Sequence, residues 1–243
     1  MAPATVADVI ARMESLLHPL ARSDGVGCFV RVYLAVTQGV QEELGAATFA
    51  DPAFMAALDV RFADLFLAAA ASATRDATAV PRAWAPLFDA RARRGIAPLQ
   101  FALAGMNAHI NRDLPIALVE TCRERGVPLE EGSPQHADYV RVNALLASVE
   151  ARIKNEYVTG FLHDVDRLLH RVDRLDDVVA MWDIARARDA AWTNAEALWA
   201  LRDEPALSVR YLATLDRTVG LAGRGLLTPA DTWLQKLGRL LRR

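Results

Sequence analysis

The most distinctive polar residues of the sequence are His109 and Asp113, which are four positions apart. A helix places such residues on one face, one turn apart, where they can chelate a divalent metal ion or where the carboxylate can orient the imidazole for proton transfer. Asn107 and Asn111 have the same spacing on a neighbouring face. We predict that His109, Asp113 and Asn111 form a catalytic centre. Asn107 is then a candidate substrate-binding residue.

Pro115 follows this polar group closely, within a stretch that is otherwise rich in apolar side chains. Proline lacks an amide donor and disfavours helical geometry at the preceding residue, here Leu114. The sequence therefore predicts a break or kink in the helix near Asp113, which would leave backbone carbonyl groups free beside the carboxylate. Alternatively, Asp113 caps a new segment that begins at Pro115, and the asparagines and the histidine only tie neighbouring helices together.

Three acidic residues elsewhere in the chain are candidates to complete the site: Asp59, Glu150 and Glu196. Asp59 and Glu150 lie within helical patterns of apolar residues. Either carboxylate could join His109 and Asp113 as a ligand of one divalent metal ion. Glu196 belongs to a predicted helix that contains Trp182, Trp192 and Trp199, and it is a candidate substrate-binding residue.

The two candidate metal ligands also have structural interpretations. Glu150 and Lys154 are one helical turn apart, which is typical of a surface ion pair. Asp59 could pair with Arg61 or Arg82. In each case the carboxylate would balance an arginine or lysine charge and would play no part in chemistry.

Two further polar patterns lie nearer the C-terminus. His163, Asp166, His170 and Asp173 recur at helical spacing, but arginines interleave with them, so we interpret the stripe as a solvated face with ion pairs. Residues 233–243 predict a basic amphipathic helix that either packs on the domain or contacts an anionic membrane.

Helical patterns account for most of the chain. Apolar residues recur at steps of three and four, and Thr5, Asp51, Ser133 and Gly45 are typical of helix starts and ends. Alternating segments typical of strands are missing, and so are internal repeats and long linkers. We therefore predict an all-α fold, a single-domain bundle of about eight to nine helices that spans residues 1–243.

Composition narrows the classes of function. The 243 residues are 53% hydrophobic and carry a net charge of -2, which argues against a disordered chain and against a nucleic-acid-binding protein that relies on positive charge. Cys28 and Cys122 are isolated, as expected of buried fillers in a reducing compartment. No secretory signal is recognised, and the most apolar stretch, residues 62–72, is too short to span a membrane. A cytoplasmic location is the default expectation.

Several enzyme signatures are missing from the sequence, which contains no GxSxG, no phosphate-binding glycine loop, no GxGxxG after a strand and no HExxH. Serine-hydrolase, P-loop and Rossmann chemistry are therefore poor interpretations. The site must be sought around the polar residues named above.

Three segments together resemble a family of bacterial and fungal proteins of unknown function: residues 105–115 (GMNAHINRDLP), 81–88 (PRAWAPLF) and 185–199 (ARARDAAWTNAEALW). The resemblance covers most of the chain. It implies an all-α fold in one domain of this size, but it implies no activity. It also suggests that His109, Asn111 and Asp113 belong to the stretch by which the family is recognised.

Two classes of function remain open. The first is an enzyme that acts on a small organic molecule through His109 and Asp113. One divalent metal ion could polarise the substrate or activate water there, or Asp113 could orient His109 as a metal-free acid or base for the isomerisation or cyclisation of a secondary metabolite. The second class is a non-catalytic helical module that binds a ligand or a partner.

Overall fold

The computed structural model describes residues 2–147 and 184–229. Helices occupy most of these ranges, and no strand occurs in them, which confirms the predicted all-α bundle. The helices are α1 (Val6–Leu17), α2 (Gly25–Gly45), α3 (Pro52–Arg75), α4 (Ala85–Ala90), α5 (Pro98–Ala108), α6 (Leu114–Arg125), α7 (134–147 within the described range), α8 (Ile184–Ala200) and α9 (Pro205–Leu226).

Side-chain caps define the starts of several helices. Thr5 and Asp8 form a capping box at α1, in which each side chain accepts from the backbone amide of the other residue at 3.1 and 3.0 Å. Asp24, Asp51 and Ser133 each accept from the amide three residues further on, at the starts of α2, α3 and α7. The starts predicted at Thr5, Asp51 and Ser133 are confirmed.

Two hydrophobic clusters form the core. The first cluster joins α1, α2 and α5 to the C-terminal half of α3 and to part of α9, with Phe29, Phe66 and Trp84 among its largest members. The second cluster joins the N-terminal half of α3 to α6, α7 and α8. Phe62 and Met106 pack against both clusters, so the region between α3 and α5 is where they meet.

Gly105 lets α5 approach α2 closely, because a Cβ atom at this position would overlap the ring of Phe29. The ring of Phe29 contacts His109 in turn, with centroids 5.7 Å apart. The glycine therefore helps to determine how far the polar residues at the end of α5 lie from α2.

Residues His109–Asp113 form a π-helix that joins α5 to α6 without interruption. The amide of Leu114 donates to the carbonyl of His109, five residues back. The amide that closes this π turn belongs to Leu114. The amide that Pro115 lacks is therefore not needed for it. The prediction of a break near Asp113 is therefore wrong, whereas the helical irregularity expected there is present as this π turn. The capping interpretation is wrong as well, because the Asp113 side chain makes no bond to the start of α6.

The cysteines behave as predicted, since Cys28 and Cys122 are both buried, one in each hydrophobic cluster. In the described part of the chain, no helix is long and apolar enough to cross a bilayer. Several predictions lie outside the described residues: Glu150 with its partner Lys154, the stripe from His163 to Asp173, and the basic segment 233–243.

Candidate active site

Asp113 is the centre of a buried hydrogen-bond network at the end of the π-helix. Its side chain is 0% exposed. Nε1 of Trp84 donates to Oδ2 at 2.9 Å, and Nδ1 of His109 lies 3.2 Å from the same oxygen. Nη1 of Arg112 donates to Oδ1 at 2.6 Å and supplies the opposite charge that a buried carboxylate requires. Three donors therefore fix the position of Asp113.

Arg112 connects this network to the rest of the bundle. Its Nε lies 3.4 Å from Oδ1 of Asp216 on α9. Asp216 also accepts from the backbone amides of Arg82 and Ala83, in the turn that carries Trp84. Asp216 and Arg112 therefore connect the π-helix, α9 and this turn. Through Arg112 these contacts also fix Asp113, the carboxylate that orients the imidazole of His109.

His109 has one ring nitrogen engaged and the other without a partner. Because Nδ1 faces the carboxylate of Asp113, the proton of the neutral ring belongs on Nδ1, and Nε2 is left as an acceptor. Nε2 is buried and has no hydrogen-bond partner among the described residues. Burial lowers the pKa of His109, and the bond to Asp113 opposes this only in part. The neutral imidazole is therefore favoured at about pH 7.

Aromatic rings restrain the imidazole on its other sides. Phe62 stacks on it with centroids 3.5 Å apart and planes within 4°, and Tyr33 meets it edge-on at 4.4 Å. Phe29, Trp84 and Phe66 complete the surrounding shell at 5.7, 5.9 and 6.3 Å. Close packing of this kind holds the ring in one orientation.

A cavity of about 130 Å³ lies where the two hydrophobic clusters meet. Side chains from α2, α3, α5, α7 and α8 line it, and almost all of them are apolar. The polar exceptions are Tyr33, Asp59, His109 and Arg188. Since an apolar cavity of about 150 Å³ holds one benzene molecule, this cavity suits a ligand with about one six-membered ring.

Asp59 and Tyr33 bring two further unpaired polar atoms to this cavity. Oδ2 of Asp59 and the hydroxyl of Tyr33 are buried and meet the geometry of a hydrogen bond with no group within residues 2–147 and 184–229. The side chain of Thr37 is close enough to the Tyr33 hydroxyl to act on its pKa, but is not in bonding geometry. Burial raises the pKa of Asp59 to about 7. Burial, with the nearby charges of Asp59 and Asp113, raises the pKa of Tyr33 well above its usual range. Tyr33 is therefore a neutral donor, and Asp59 changes its charge near neutral pH.

Asp59 forms no ion pair with Arg61 or Arg82 in the described part of the chain, so that interpretation is wrong. Residues two positions apart on a helix face different directions, and Arg61 instead contacts the carboxylates of Glu120 and Glu124 on α6 at 3.5 and 2.7 Å. Asp59 is thus left facing the apolar core.

Arg188 on α8 is the fourth polar residue of the cavity lining and is 5% exposed. Its Nε donates to Oδ1 of Asn143 and its Nη2 to the carbonyl of Tyr139, both at 2.6 Å. The guanidinium carbon lies 4.0 Å from the centre of the Tyr139 ring. Burial lowers the pKa of Arg188, yet a guanidinium keeps its proton at physiological pH. A buried positive charge therefore lies on the cavity wall.

Comparison with known families places the chain in one of them. A family model described as a family of unknown function, DUF5995, matches residues 6–229. The chain belongs to the DUF5995 family. This confirms the predicted membership of an uncharacterised family, and the match spans all three segments that carry the resemblance. No curated protein and no solved structure matches the chain.

In this DUF5995 chain the two asparagines lie outside the cavity lining. Nδ2 of Asn107 donates to the carbonyl of Val219 on α9 at 3.0 Å, and Nδ2 of Asn111 donates to Oδ1 of Asn107 at 3.2 Å. Glu196 also lies outside the lining and accepts from Nε1 of Trp192 at 3.1 Å. Among the predicted site residues that the structure describes, only His109 and Asp59 line the cavity, and Asp113 holds His109 from behind.

The candidate metal ligands do not form a three-ligand site. Within the two described ranges, no group of three His, Cys, Asp or Glu side chains is arranged to hold a metal ion. His109, Asp113 and Asp59 are all described and do not make such a group. A metal site would need a donor such as Glu150, which lies outside the described residues.

Sequence reasoning missed four residues of the site: Trp84, Arg112, Tyr33 and Arg188. Trp84 and Arg188 belong to the segments 81–88 and 185–199 that carry the family resemblance, so those segments held a usable signal. Arg112 is adjacent to Asp113 in the third such segment. Tyr33 lies in an ordinary apolar helix pattern, and nothing in the sequence marks it.

Proposed function

We propose that the protein is an enzyme that binds a small, mainly apolar organic molecule in this cavity and transfers a proton on it without a metal ion. His109 acts as the general base or acid through Nε2, and Asp113 orients the ring. The observation that carries the proposal is the unequal state of the two imidazole nitrogens: Nδ1 is held by a buried carboxylate, whereas Nε2 has no partner among the described residues.

Unpaired polar atoms support the presence of a ligand or an internal water. A buried polar group without a partner costs about 1–3 kcal/mol. Nε2 of His109, Oδ2 of Asp59 and the hydroxyl of Tyr33 are three such atoms on residues that line one cavity. A small molecule with polar atoms at suitable positions would satisfy them.

The protonation states suit an isomerisation. The neutral imidazole of His109 can accept a proton from the substrate at Nε2, and the charge of Asp113 stabilises the imidazolium that forms. Asp59, whose pKa is raised to about 7 by burial, can deliver a proton to another atom of the substrate or take one up. Tyr33 can donate a hydrogen bond to an oxygen that gains negative charge. The substrate loses one proton to His109 and gains one from Asp59, so its composition is unchanged. A proton then passes from His109 to Asp59 by exchange with water, which restores both residues.

A non-catalytic small-molecule carrier is the second candidate function. The burial of the polar atoms favours this candidate, because Nε2 of His109 and Oδ2 of Asp59 have almost no contact with water. A carrier needs only an apolar enclosure with matched polar partners, whereas an enzyme must also let its substrate enter and leave.

Deuterium exchange separates the two candidates. Cyclohexanone and 2-cyclohexenone would be incubated with the protein in deuterium oxide, and loss of their α-hydrogens followed by proton NMR. We expect exchange faster than in buffer, and a decrease of about 10²–10⁴-fold in His109→Gln. His18→Gln, which changes an exposed histidine at the end of α1, is the matched control and should keep full activity.

The same experiment can overturn the proposal. If the ketones shift the melting temperature but exchange no faster than in buffer, the protein binds without catalysis and the carrier function stands. If His109→Gln folds and exchanges as fast as the unchanged protein, His109 is not the base.

A further inference from the structure

Arg188 places a positive charge on the cavity wall, and among the described residues only neutral groups contact it directly. The neighbouring carboxylate of Asp189 acts on it from an exposed position and raises its pKa against the effect of burial, but forms no ion pair with it. Its hydrogen bonds within the described residues go to an amide oxygen and a backbone carbonyl, and the ring below it is the neutral Tyr139. No carboxylate in residues 2–147 or 184–229 forms an ion pair with it. Nη1 of Arg188 makes no hydrogen bond in these ranges either. Buried charges in proteins are normally paired, so this guanidinium requires an anion.

The other polar residues of the lining do not provide that anion. Tyr33 keeps its proton, and the neutral form of His109 is favoured because burial lowers its pKa. Among the described residues of the lining Asp59 is the only acidic one, and it is mostly protonated below about pH 7. Near pH 6 the described part of the lining therefore carries the permanent positive charge of Arg188, and its one carboxyl group is mostly neutral.

The two polar regions of the cavity belong to different parts of the core. Tyr33 and the rings around His109 belong to the first hydrophobic cluster, whereas Tyr139, which packs on Arg188, belongs to the second. Apolar side chains line the space between them. A ligand that fills the cavity can thus contact a cation with one group and the proton-transfer residues with another.

We propose that the ligand of this cavity is a small organic carboxylate, whose anionic group accepts from Nη1 of Arg188 while its apolar body, about one six-membered ring in size, extends toward His109. The inference rests on the proposed function for the cavity and adds the chemical class of its ligand. Arginine suits this role because it combines a permanent charge with donors in a fixed plane.

Matched acids and amides test the charge requirement. Benzoate and benzamide, and hexanoate and hexanamide, have nearly the same shape but differ in charge. Binding would be measured by isothermal titration calorimetry at about pH 6, where the probe acids are ionised and Asp59 is mostly neutral. We expect each acid to bind the unchanged protein at least about tenfold more tightly than its amide, as a charge-assisted hydrogen bond predicts.

Two substitutions test whether Arg188 causes the preference for acids over amides. Arg188→Met should bind acid and amide with similar affinity. Arg188→Lys keeps a charge and serves as a second variant if the methionine variant fails to fold, and it should retain a reduced preference. Arg141→Met removes an exposed arginine of α7 and should leave the tenfold preference unchanged.

Measurements on the unchanged protein are decisive even if neither Arg188 variant folds. Equal affinity for acid and amide, tighter binding of the amides, or no binding of any of the four probes overturns the inference. The preference is also measured in His109→Gln, which separates it from catalysis. If this variant keeps the preference while no ketone exchange is found in the unchanged protein, the enzyme proposal fails and the carboxylate site stands.

Discussion

Nδ1 of His109 and Oδ2 of Asp113 lie 3.2 Å apart within one short π-helix. His109 also accepts the backbone hydrogen bond from Leu114 that closes this π-helix. The side-chain pair and the widened backbone turn are therefore parts of one local structure. π-Helical turns within longer helices occur frequently at functional sites, which agrees with the proposed role of the pair.

Asp113→Asn should destabilise the protein more than Trp84→Phe. The first change removes the charge that pairs with Arg112 in a buried site, which we expect to lower the free energy of unfolding by about 3 kcal/mol or more. The second removes one neutral donor, and its loss should be about 1–2 kcal/mol. Urea denaturation of both variants measures the difference. A smaller loss in Asp113→Asn would show that the charge is not what stabilises the network.

Nitrogen-15 NMR of the histidine rings tests the state of His109. At about pH 7 we expect a neutral ring with its proton on Nδ1, because burial lowers the pKa and Asp113 accepts from Nδ1. In Asp113→Asn this preference for the Nδ1 proton should weaken, since the charged acceptor is gone. A charged ring at that pH, or a neutral ring protonated on Nε2, would contradict the proposed base.

The stability of the protein should depend on pH through Asp59. Its pKa is about 7 in the folded protein, against an ordinary pKa of 3.8, so the folded state retains a proton that the unfolded state releases. Between these two pH values the contribution of Asp59 lowers the free energy of unfolding as pH rises, by a total of about 4 kcal/mol. Below about pH 4 the effect is absent, because both states are protonated.

Asp59→Asn isolates this contribution. The variant should be more stable than the unchanged protein at pH 8 and similar to it at pH 4, as measured by urea denaturation at both pH values. Asp64→Asn, on the same helix but partly exposed, is the matched control and should show no such trend. An Asp59→Asn variant that is destabilised equally at both pH values would mean that the carboxylate is paired.

Gly105→Ala should destabilise the contact between α2 and α5. The added methyl group overlaps the ring of Phe29, and crowding of this kind costs about 1–3 kcal/mol. Gly45→Ala is the control, since nothing lies within 4 Å of a Cβ atom at the end of α2. Thermal and urea unfolding would show a loss for the first variant only. The double variant Gly105→Ala/Phe29→Leu should lose less stability than the two single variants lose together, because the smaller side chain at position 29 relieves the overlap.

Local interactions made several features readable from the sequence. The caps at Thr5, Asp51 and Ser133, the all-α class and the pairing of His109 with Asp113 each depend on residues within one or two helical turns of each other. The form of the irregularity before Pro115 is not readable in this way. The missing amide of Pro115 and its restriction of Leu114 are local facts, but whether a helix breaks or adopts a π turn depends on the packing on both sides.

The sequence by itself therefore determined the helices, most of their starts and the His109–Asp113 pair, because helical periodicity and capping act over three to five residues. Only the tertiary structure decided that Tyr33, Asp59 and Arg188 line one cavity with His109, and that Asn107 and Glu196 do not. Tyr33 and Arg188 are more than 150 positions apart in the chain, on helices whose pairing follows from how two hydrophobic clusters pack. No pattern within one helix encodes that packing.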